Sequence, residues 1–268
     1  MYKLIALDMD GTLLDSQKAL TSRVCAAIAK AKAQGVKVVL ASGRPFEGML
    51  PTLKALGLDG EEDYVLTYNA SLILKVACKT VVSRAILKGQ DAIELHQLAN
   101  ELGVNILAYS MTRGLITPKK NKYTDFEATL NDIEFSEFDF NLLDVDEDIL
   151  KVMMIDESEL LSNAIPLLPT ELQEKYSMAR STPHFYEFMN KDSNKGKGMA
   201  ALTAHLGLTA EQIICVGDAA NDLEMIQFAG LGVAMENATD AVKYHADYIT
   251  ASNDQEGVAH VFEKYILK

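Results

Sequence analysis

Leu4-Ile5-Ala6-Leu7-Asp8-Met9-Asp10-Gly11-Thr12 is the stretch from which the rest of the chain is read. Four consecutive apolar residues suit a strand buried on both faces of a parallel sheet, and polar residues follow at once. After a turn at Gly11 the spacing predicts a helix over 21–34, with Thr21 placed to cap it and Gly35 to stop it. Val36–Ala41 is the next strand. Ser42-Gly43-Arg44-Pro45 then opens a helix to about Leu56, with Pro45 suited to the first helical position. Tyr64–Tyr68 and Ser71–Ala77 are two further strands. The same alternation returns at the carboxyl end, with a helix from Gly196, a strand over Ile213–Gly217, a helix over 220–229 and a strand over Leu231–Met235. A helix over Thr239–His245, a short strand at Tyr248–Thr250 and a last helix after Gln255 complete it. Short links between alternating strands and helices predict an α/β fold, a doubly wound parallel sheet with right-handed crossovers.

The middle of the chain has a different texture. Helical patterns near 90–102 and 157–165 are mixed with strand-like pieces such as Val104–Tyr109 and Lys151–Ile155. An acidic stretch from Asp125 through Asp148 is expected to be simply solvated. Residues 1–83 and 189–268 are therefore read as one core domain, interrupted by an inserted α+β domain over 84–188.

The 268 residues carry 25 Lys plus Arg against 38 Asp plus Glu, a formal net charge of −13. That balance disfavours nucleic acid, which is bound through clustered cations, and an anionic membrane surface. Cys25, Cys78 and Cys215 form no CxxC pair, so neither a disulfide framework nor a zinc site is expected. The first apolar run is too short for a signal peptide and is broken by Asp8, and no run approaches the ~20 residues of a membrane helix. A cytoplasmic protein is the expectation.

The chemistry sits where strands end. Asp8 and Asp10 are two apart, a spacing that in extended chain turns both carboxylates to one side. Their DxDG resembles a calcium loop, but the glycine falls too early and Ala19 stands where the loop's glutamate would be. A second acidic group, Gly217-Asp218-Ala219-Ala220-Asn221-Asp222, follows another apolar strand, and a helix there would put Asp218, Asn221 and Asp222 on one face. Open α/β sheets bind ligands beyond the carboxyl ends of their strands, where both groups lie. Two carboxylates ~4 Å apart repel by about 4 kcal/mol at an effective dielectric of 20, so a convergent cluster needs protons or a cation. Oxygen ligands alone favour Mg²⁺. Ser42, Gly43 and Arg44 at a helix start offer a hydroxyl and free N–H groups to an anion, and Lys195 stands before Gly196 at another. Together they read as a phosphoryl site.

Four ordered motifs, Asp8-Met9-Asp10-Gly11-Thr12, Ser42-Gly43-Arg44, Lys195-Gly196 and Gly217-Asp218 through Asn221-Asp222, resemble the haloacid dehalogenase superfamily of phosphatases. Within it, the chain is most similar to the Cof-type, YidA-like sugar phosphatases with a type IIB cap, and Val233-Ala234-Met235-Glu236-Asn237-Ala238 adds to the likeness. The resemblance implies that Asp8 is a nucleophile forming an aspartyl-phosphate, and that Asp10 is the general acid and then the base. It implies Mg²⁺ held by Asp8, the Asp10 backbone carbonyl and Asp218, with Asp222 nearby, and phosphate held by Ser42, Gly43, Lys195 and Asn221. The insert would be a cap that closes over the site and selects the alcohol, with His184, Phe185, Tyr186 and Glu187 near its exit. The implied partner is a small phosphorylated metabolite.

Two features depart from the pattern or leave alternatives. Asn69-Ala70 stands where Asn-Gly is usual, so Asn69 is only a candidate substrate contact. Arg44 could touch substrate or make an ion pair within its own domain. A pyridoxal or flavin phosphate remains an alternative to a sugar phosphate. Gly196-Lys197-Gly198-Met199-Ala200-Ala201, with Asp218 some twenty residues on, fits a dinucleotide fingerprint but leaves Asp8, Asp10 and Ser42 without a role.

Overall fold

The structure is a computed structural model and describes residues 1–267. Along the chain the first elements are β1 (Leu4–Leu7), α1 (Ser22–Ala33), β2 (Lys37–Ala41), α2 (Phe46–Ala55), β3 (Tyr64–Thr67), β4 (Leu72–Lys75) and β5 (Val81–Arg84). There follow β6 (Leu87–Lys88), α3 (Gly89–Leu102), β7 (Asn105–Ser110), β8 (Gly114–Thr117), α4 (Lys122–Asn131) and β9 (Phe135–Glu137). Next come β10 (Asp148–Ile155), α5 (Ser158–Ala164), α6 (Leu172–Lys175), β11 (Tyr176–Thr182) and β12 (Phe185–Asn190). The chain closes with α7 (Lys195–His205), β13 (Ile213–Gly217), α8 (Leu223–Phe228), β14 (Leu231–Ala234), α9 (Asp240–His245), β15 (Tyr248–Ile249) and α10 (Gly257–Tyr265).

These elements form two compact units, one of Met1–Arg84 with Asn194–Lys268 and one of Ala85–Ser193. In the first, a sheet runs β15-β14-β13-β1-β2-β3-β4-β5, parallel from β15 to β3, with β4 and β5 antiparallel at one edge. All four residues of β1 are buried, as its unbroken apolar run requires. On one face Leu4, Ala6, Val39, Leu66, Ile213 and Cys215 pack with Met199 and Leu202 of α7 and Met225 of α8. From β1 the chain goes to β2 on one side and returns through β13 on the other. The crevice beyond the carboxyl ends of these strands is thus a topological switch point, where such sheets bind ligands.

Local chemistry explains the element ends. The Thr21 hydroxyl accepts the Val24 N–H at the start of α1, and Gly35, at φ +79°, follows its end. Pro45 is the N-cap of α2, with extended ψ, and Phe46 is the first helical residue, one later than expected. The helix expected over 220–229 is a 3₁₀ turn over Ala220–Asp222 followed by α8.

The second unit has its own sheet, β11-β12-β10-β7-β8-β9, with β6 added to β10. Leu95 and Ala99 of α3, Val152 and Met154 of β10, Phe188 of β12 and Phe140 build its core. Two expectations change here. The boundary placed at residue 188 cuts through β12, which pairs with both β10 and β11, and the unit runs on to Ser193. The acidic stretch is not simply solvated. It contains most of α4, capped by Asn121 and closed by Asp132 at φ +52°, and it buries Glu127, Asn131 and Phe140. The Glu127 carboxylate accepts the Tyr109 hydroxyl at 2.5 Å. Its alternation is hidden because the residues turned inward are themselves polar.

Candidate active site

The site is built on the ends of β1, β2, β3 and β13. Asp8 is the first residue past β1, and its N–H donates to the Val216 carbonyl at 3.0 Å, so the ladder with β13 holds it beside the next strand. Lys195 begins α7 and is fully buried. Its Nζ donates to Asp8 Oδ1 and to Asp222 Oδ1, both at 2.6 Å. The other Asp222 oxygen accepts the N–H groups of Asp218 at 2.9 Å and Ala219 at 3.0 Å. Gly217 must lack a side chain for this turn, because a Cβ there would lie 2.4 Å from that of Asp222. Asp218 Oδ1 accepts the Thr12 hydroxyl at 2.7 Å. Gly11 meets two demands at once, a φ of +87° and a Cβ position 2.5 Å from Asp218 Oδ2, and only glycine satisfies both.

Asp8, Asp218 and Asp222 each offer an oxygen, and these atoms lie within 4.8 Å of one another. One lysine against three buried or half-buried carboxylates leaves negative charge in excess. Burial, and then the Asp222 charge, push Asp8 up to about 8 against the pull of Lys195. Burial pushes Asp218 up to about 6, with Thr12 opposing and Asp222 adding. Burial alone would lower Lys195, but the charges of Asp222 and Asp8 hold it above the ordinary lysine range. Hard oxygen donors short of positive charge fit Mg²⁺. Asp222 is the weakest candidate of the three for direct contact, because both its oxygens already accept hydrogen bonds.

Asp10 is paired with different cations. Its carboxylate accepts Arg44 Nε at 2.8 Å and Nη2 at 2.7 Å, and Lys18 Nζ at 2.7 Å. Burial works against its ionisation, but the hydrogen bonds from Arg44 and Lys18 prevail and hold Asp10 below the usual carboxylate range. The chain has left the strand before Asp10, which bridges to Leu14 across the Gly11 turn, so the two-residue alternation does not carry over. Of the two readings of Arg44, the structure displays the ion pair within its own unit.

A third group lies beyond β2 and β3. Ser42 is buried and its Oγ accepts the Arg44 N–H at 3.2 Å. Asn69 Oδ1 accepts Asn221 Nδ2 at 3.0 Å, and a Cβ on Gly43 would lie 3.3 Å from Asn69 Nδ2. Asp218, Asn221 and Asp222 therefore do not share one helical face. Asp222 turns inward to cap the loop, while exposed Asn221 faces Asn69.

The structure adds Thr12, Lys18 and Asn237 to the site's surroundings. Asn237 Nδ2 donates to the Gly11 carbonyl at 2.8 Å, and its Oδ1 accepts the Asn253 N–H at 3.0 Å. Thr12 and Asn237 stand within motifs already singled out, but spacing gave neither a partner. In the second unit, His184 stacks on Tyr123 with ring centroids 4.7 Å apart, Phe185 is buried, and Glu187 pairs with buried Lys151 at 3.2 Å. The dinucleotide fingerprint lacks its strand, since no strand of this sheet directly precedes α7. Its glycines serve packing instead, with Cβ positions 2.6 Å from Glu224 for Gly196 and 2.3 Å from Ala70 for Gly198.

Residues 5–262 match the family of haloacid dehalogenase-like hydrolases. The chain is 40% identical over 272 residues to YxeH of Bacillus subtilis (strain 168), covering 100% of this chain and 99% of that protein. It is 32% identical over 265 residues to 5-amino-6-(5-phospho-D-ribitylamino)uracil phosphatase YcsE of the same organism, covering 99% and 96%. A solved haloacid dehalogenase-like hydrolase from Bacteroides thetaiotaomicron superimposes with a TM-score of 0.88 at 34% identity, covering 98% of this chain and 99% of that one. No helix among the described residues is long and apolar enough to cross a membrane.

Proposed function

The chain belongs to the haloacid dehalogenase-like hydrolases, and from that membership we propose a Mg²⁺-dependent phosphatase acting on a small phosphomonoester, foremost a sugar phosphate, through an aspartyl-phosphate. One observation carries the reading, the fully buried Lys195 bridging Asp8 and Asp222 beside Asp218. A buried lysine between two carboxylates costs desolvation that a purely structural pair seldom recovers. At a phosphoryl site the same charge is useful, because it neutralises the nucleophile's surroundings and the phosphate oxygens. YcsE, named for a phosphate on a ribityl chain, supports the polyol class. Pyridoxal and flavin phosphates are the runner-up substrates.

Asp8 attacks phosphorus with a carboxylate oxygen, and the bond from phosphorus to the leaving alcohol breaks. Lys195 holds the other Asp8 oxygen and fixes the direction of attack. Asp10 gives a proton to the departing alkoxide and takes one from the water that cleaves the aspartyl-phosphate. Its pairing with Arg44 and Lys18 keeps it ionised, which suits the second step. The first step requires that Arg44 yield or that Asp10 acquire a proton as substrate enters. Ser42, the Gly43 N–H, Lys195 and Asn221 hold phosphate oxygens. Mg²⁺ would be held by Asp8, Asp218 and the Asp10 carbonyl, with Asp222 fixing the loop, and there it supplies positive charge against phosphate and carboxylates. The second unit is proposed to select the alcohol portion of the substrate.

Replacing Asp8 with Asn conserves size and removes the nucleophile. With p-nitrophenyl phosphate and Mg²⁺, phosphate release is expected to fall by at least about a thousand-fold with folding retained. Release at the wild-type rate would overturn the mechanism.

A further inference from the structure

We propose that Asn69 is a positioning residue, whose carboxamide, set by a left-handed turn over Tyr68–Ala70, aims the Asn221 amide at the phosphate. The proposal rests on the phosphatase reading and concerns how that site is held together. Tyr68, Asn69 and Ala70 have φ of +51°, +53° and +70° in succession, and none of the three is glycine. L-residues enter this region singly as a rule, and three together persist only where the surroundings over-determine them. The determinants are visible on both sides. The Tyr68 N–H donates to the Arg44 carbonyl at 3.1 Å and the Asn69 N–H to the Ser42 carbonyl at 2.9 Å, which ties the turn to the loop after β2. Ala70 is buried, and its Cβ lies 2.3 Å from where a Gly198 Cβ would stand, which seats the turn against the helix that carries Lys195.

This backbone delivers one side chain to a distant partner. Asparagine in left-handed conformation commonly bonds to its own neighbourhood. Asn69 Oδ1 accepts Asn221 Nδ2 at 3.0 Å, across 152 residues of sequence. The Asn221 amide has two N–H groups. Asn69 engages one, and the planarity of the amide then fixes the direction of the other. Gly43 completes the fit, because its missing side chain leaves the Asn69 carboxamide room at 3.3 Å from the Cβ position. Loop 42–44, turn 68–70 and loop 218–222 are thereby held in one register.

The test is a cycle of Asn69→Gly, Asn221→Ala and the double variant, in the full chain. Glycine accepts the left-handed backbone, so Asn69→Gly removes the carboxamide and leaves the turn able to form. Wild-type turnover of p-nitrophenyl phosphate with Mg²⁺ tests the phosphatase reading on its own. Each single variant is expected to lose about tenfold in kcat/KM and in orthovanadate affinity, as misplacement of a binding group does. If Asn69 acts through Asn221, the double variant loses no more than Asn221→Ala alone. Losses that multiply to about a hundredfold overturn the proposal in favour of an independent contact, and so does an Asn69→Gly variant as active as wild type. A second readout needs no turnover, the side-chain amide resonance of Asn221 in the ligand-free protein. It is expected to shift in Asn69→Gly, and an unmoved resonance overturns the proposal whatever the enzyme's activity.

Discussion

Lys195→Met is the perturbation that bears most directly on the site, because it removes one charge and little volume. In the structure Nζ sits 2.6 Å from an oxygen of Asp8 and 2.6 Å from an oxygen of Asp222. At that distance and an effective dielectric of 20, each attraction is worth about 6 kcal/mol before desolvation is subtracted. Neither acid has water to turn to, with Asp8 at 6% and Asp222 at 0% exposure. Breaking a buried ionic pair by removing one partner costs about 3–5 kcal/mol, because the remaining charge is left uncompensated. That loss is expected for the unit carrying Asp8 at pH 8, without added metal, as a drop of roughly 10 °C in its melting temperature.

The pH dependence separates lost charge from lost packing. The Lys195 proton is held above the ordinary lysine range and does not change hands below pH 8. Asp8 does titrate there: with its pKa up to about 8, the folded wild type takes a proton as pH falls, so the Lys195–Asp8 attraction is full only above that pH. Without Lys195, Asp8 holds its proton more tightly, so the defect of the variant is expected to be larger at pH 9 than at pH 6. Urea unfolding at both pH values, followed through the tyrosines, makes the comparison. A loss below about 1 kcal/mol at pH 9, or one equal at both pH values, would refute the assignment of Lys195 as the charge partner of Asp8 and Asp222.

Three further outcomes follow from the same geometry. Mg²⁺ should raise the melting temperature more at pH 8 than at pH 6, because Asp8, up to about 8, and Asp218, up to about 6, must lose protons to bind it; equal stabilisation in differential scanning fluorimetry would count against the metal set, and chelation with EDTA should abolish turnover. Arg44→Gln should let the Asp10 pKa rise toward its ordinary value, moving the acidic limb of the kcat/KM profile to higher pH. The pairing stabilises the fold above the unfolded carboxyl pKa and is lost as pH falls through the lowered folded one, so about 1 kcal/mol or less should vanish at neutral pH and nothing once Asp10 is protonated in both states. Gly198→Ala should destabilise the protein by about 1–3 kcal/mol in urea unfolding, since its Cβ would stand 2.3 Å from that of Ala70 in a packed core.

The parallel sheet was legible because β1 and β13 are unbroken apolar runs, Leu4–Leu7 and Ile213–Gly217, and strand ends then dictate where polar groups gather. Lys195 and Asp8 lie 187 residues apart, yet each could be placed at the same end of one sheet by its element alone. What periodicity could not reach was the loops. Asp10 looked like a companion of Asp8 because two residues of extended chain separate same-side groups. The turn at Gly11 redirects it to Arg44 and Lys18. Asp222 looked like a neighbour of Asn221 on a helical face. It is turned inward by the amides of Asp218 and Ala219, which no spacing rule anticipates. Ala70 in a left-handed conformation is likewise invisible from sequence, because the residue type argues against it and only Gly198 and the loop after β2 enforce it.

The loops are also where the charge of the molecule acquires chemical meaning. A net charge of −13 suggests repulsion of a phosphorylated substrate. Around the site, however, Asp8, Asp10, Asp218 and Asp222 face Lys195, Arg44 and Lys18, so with all four acids ionised the local excess is a single negative charge. One divalent cation would reverse its sign, and a phosphate dianion would restore it. On the phosphatase reading, the metal would supply a positive charge that the chain does not itself carry. The separate partners of the two acids follow from the same economy. Burial and the Asp222 charge raise the proton affinity of Asp8, while the hydrogen bonds from Arg44 and Lys18 lower that of Asp10. Without Arg44 and Lys18, Asp10 would lose the hydrogen bonds that lower its proton affinity, and with them part of the difference between the two acids that the proposed nucleophile and base require.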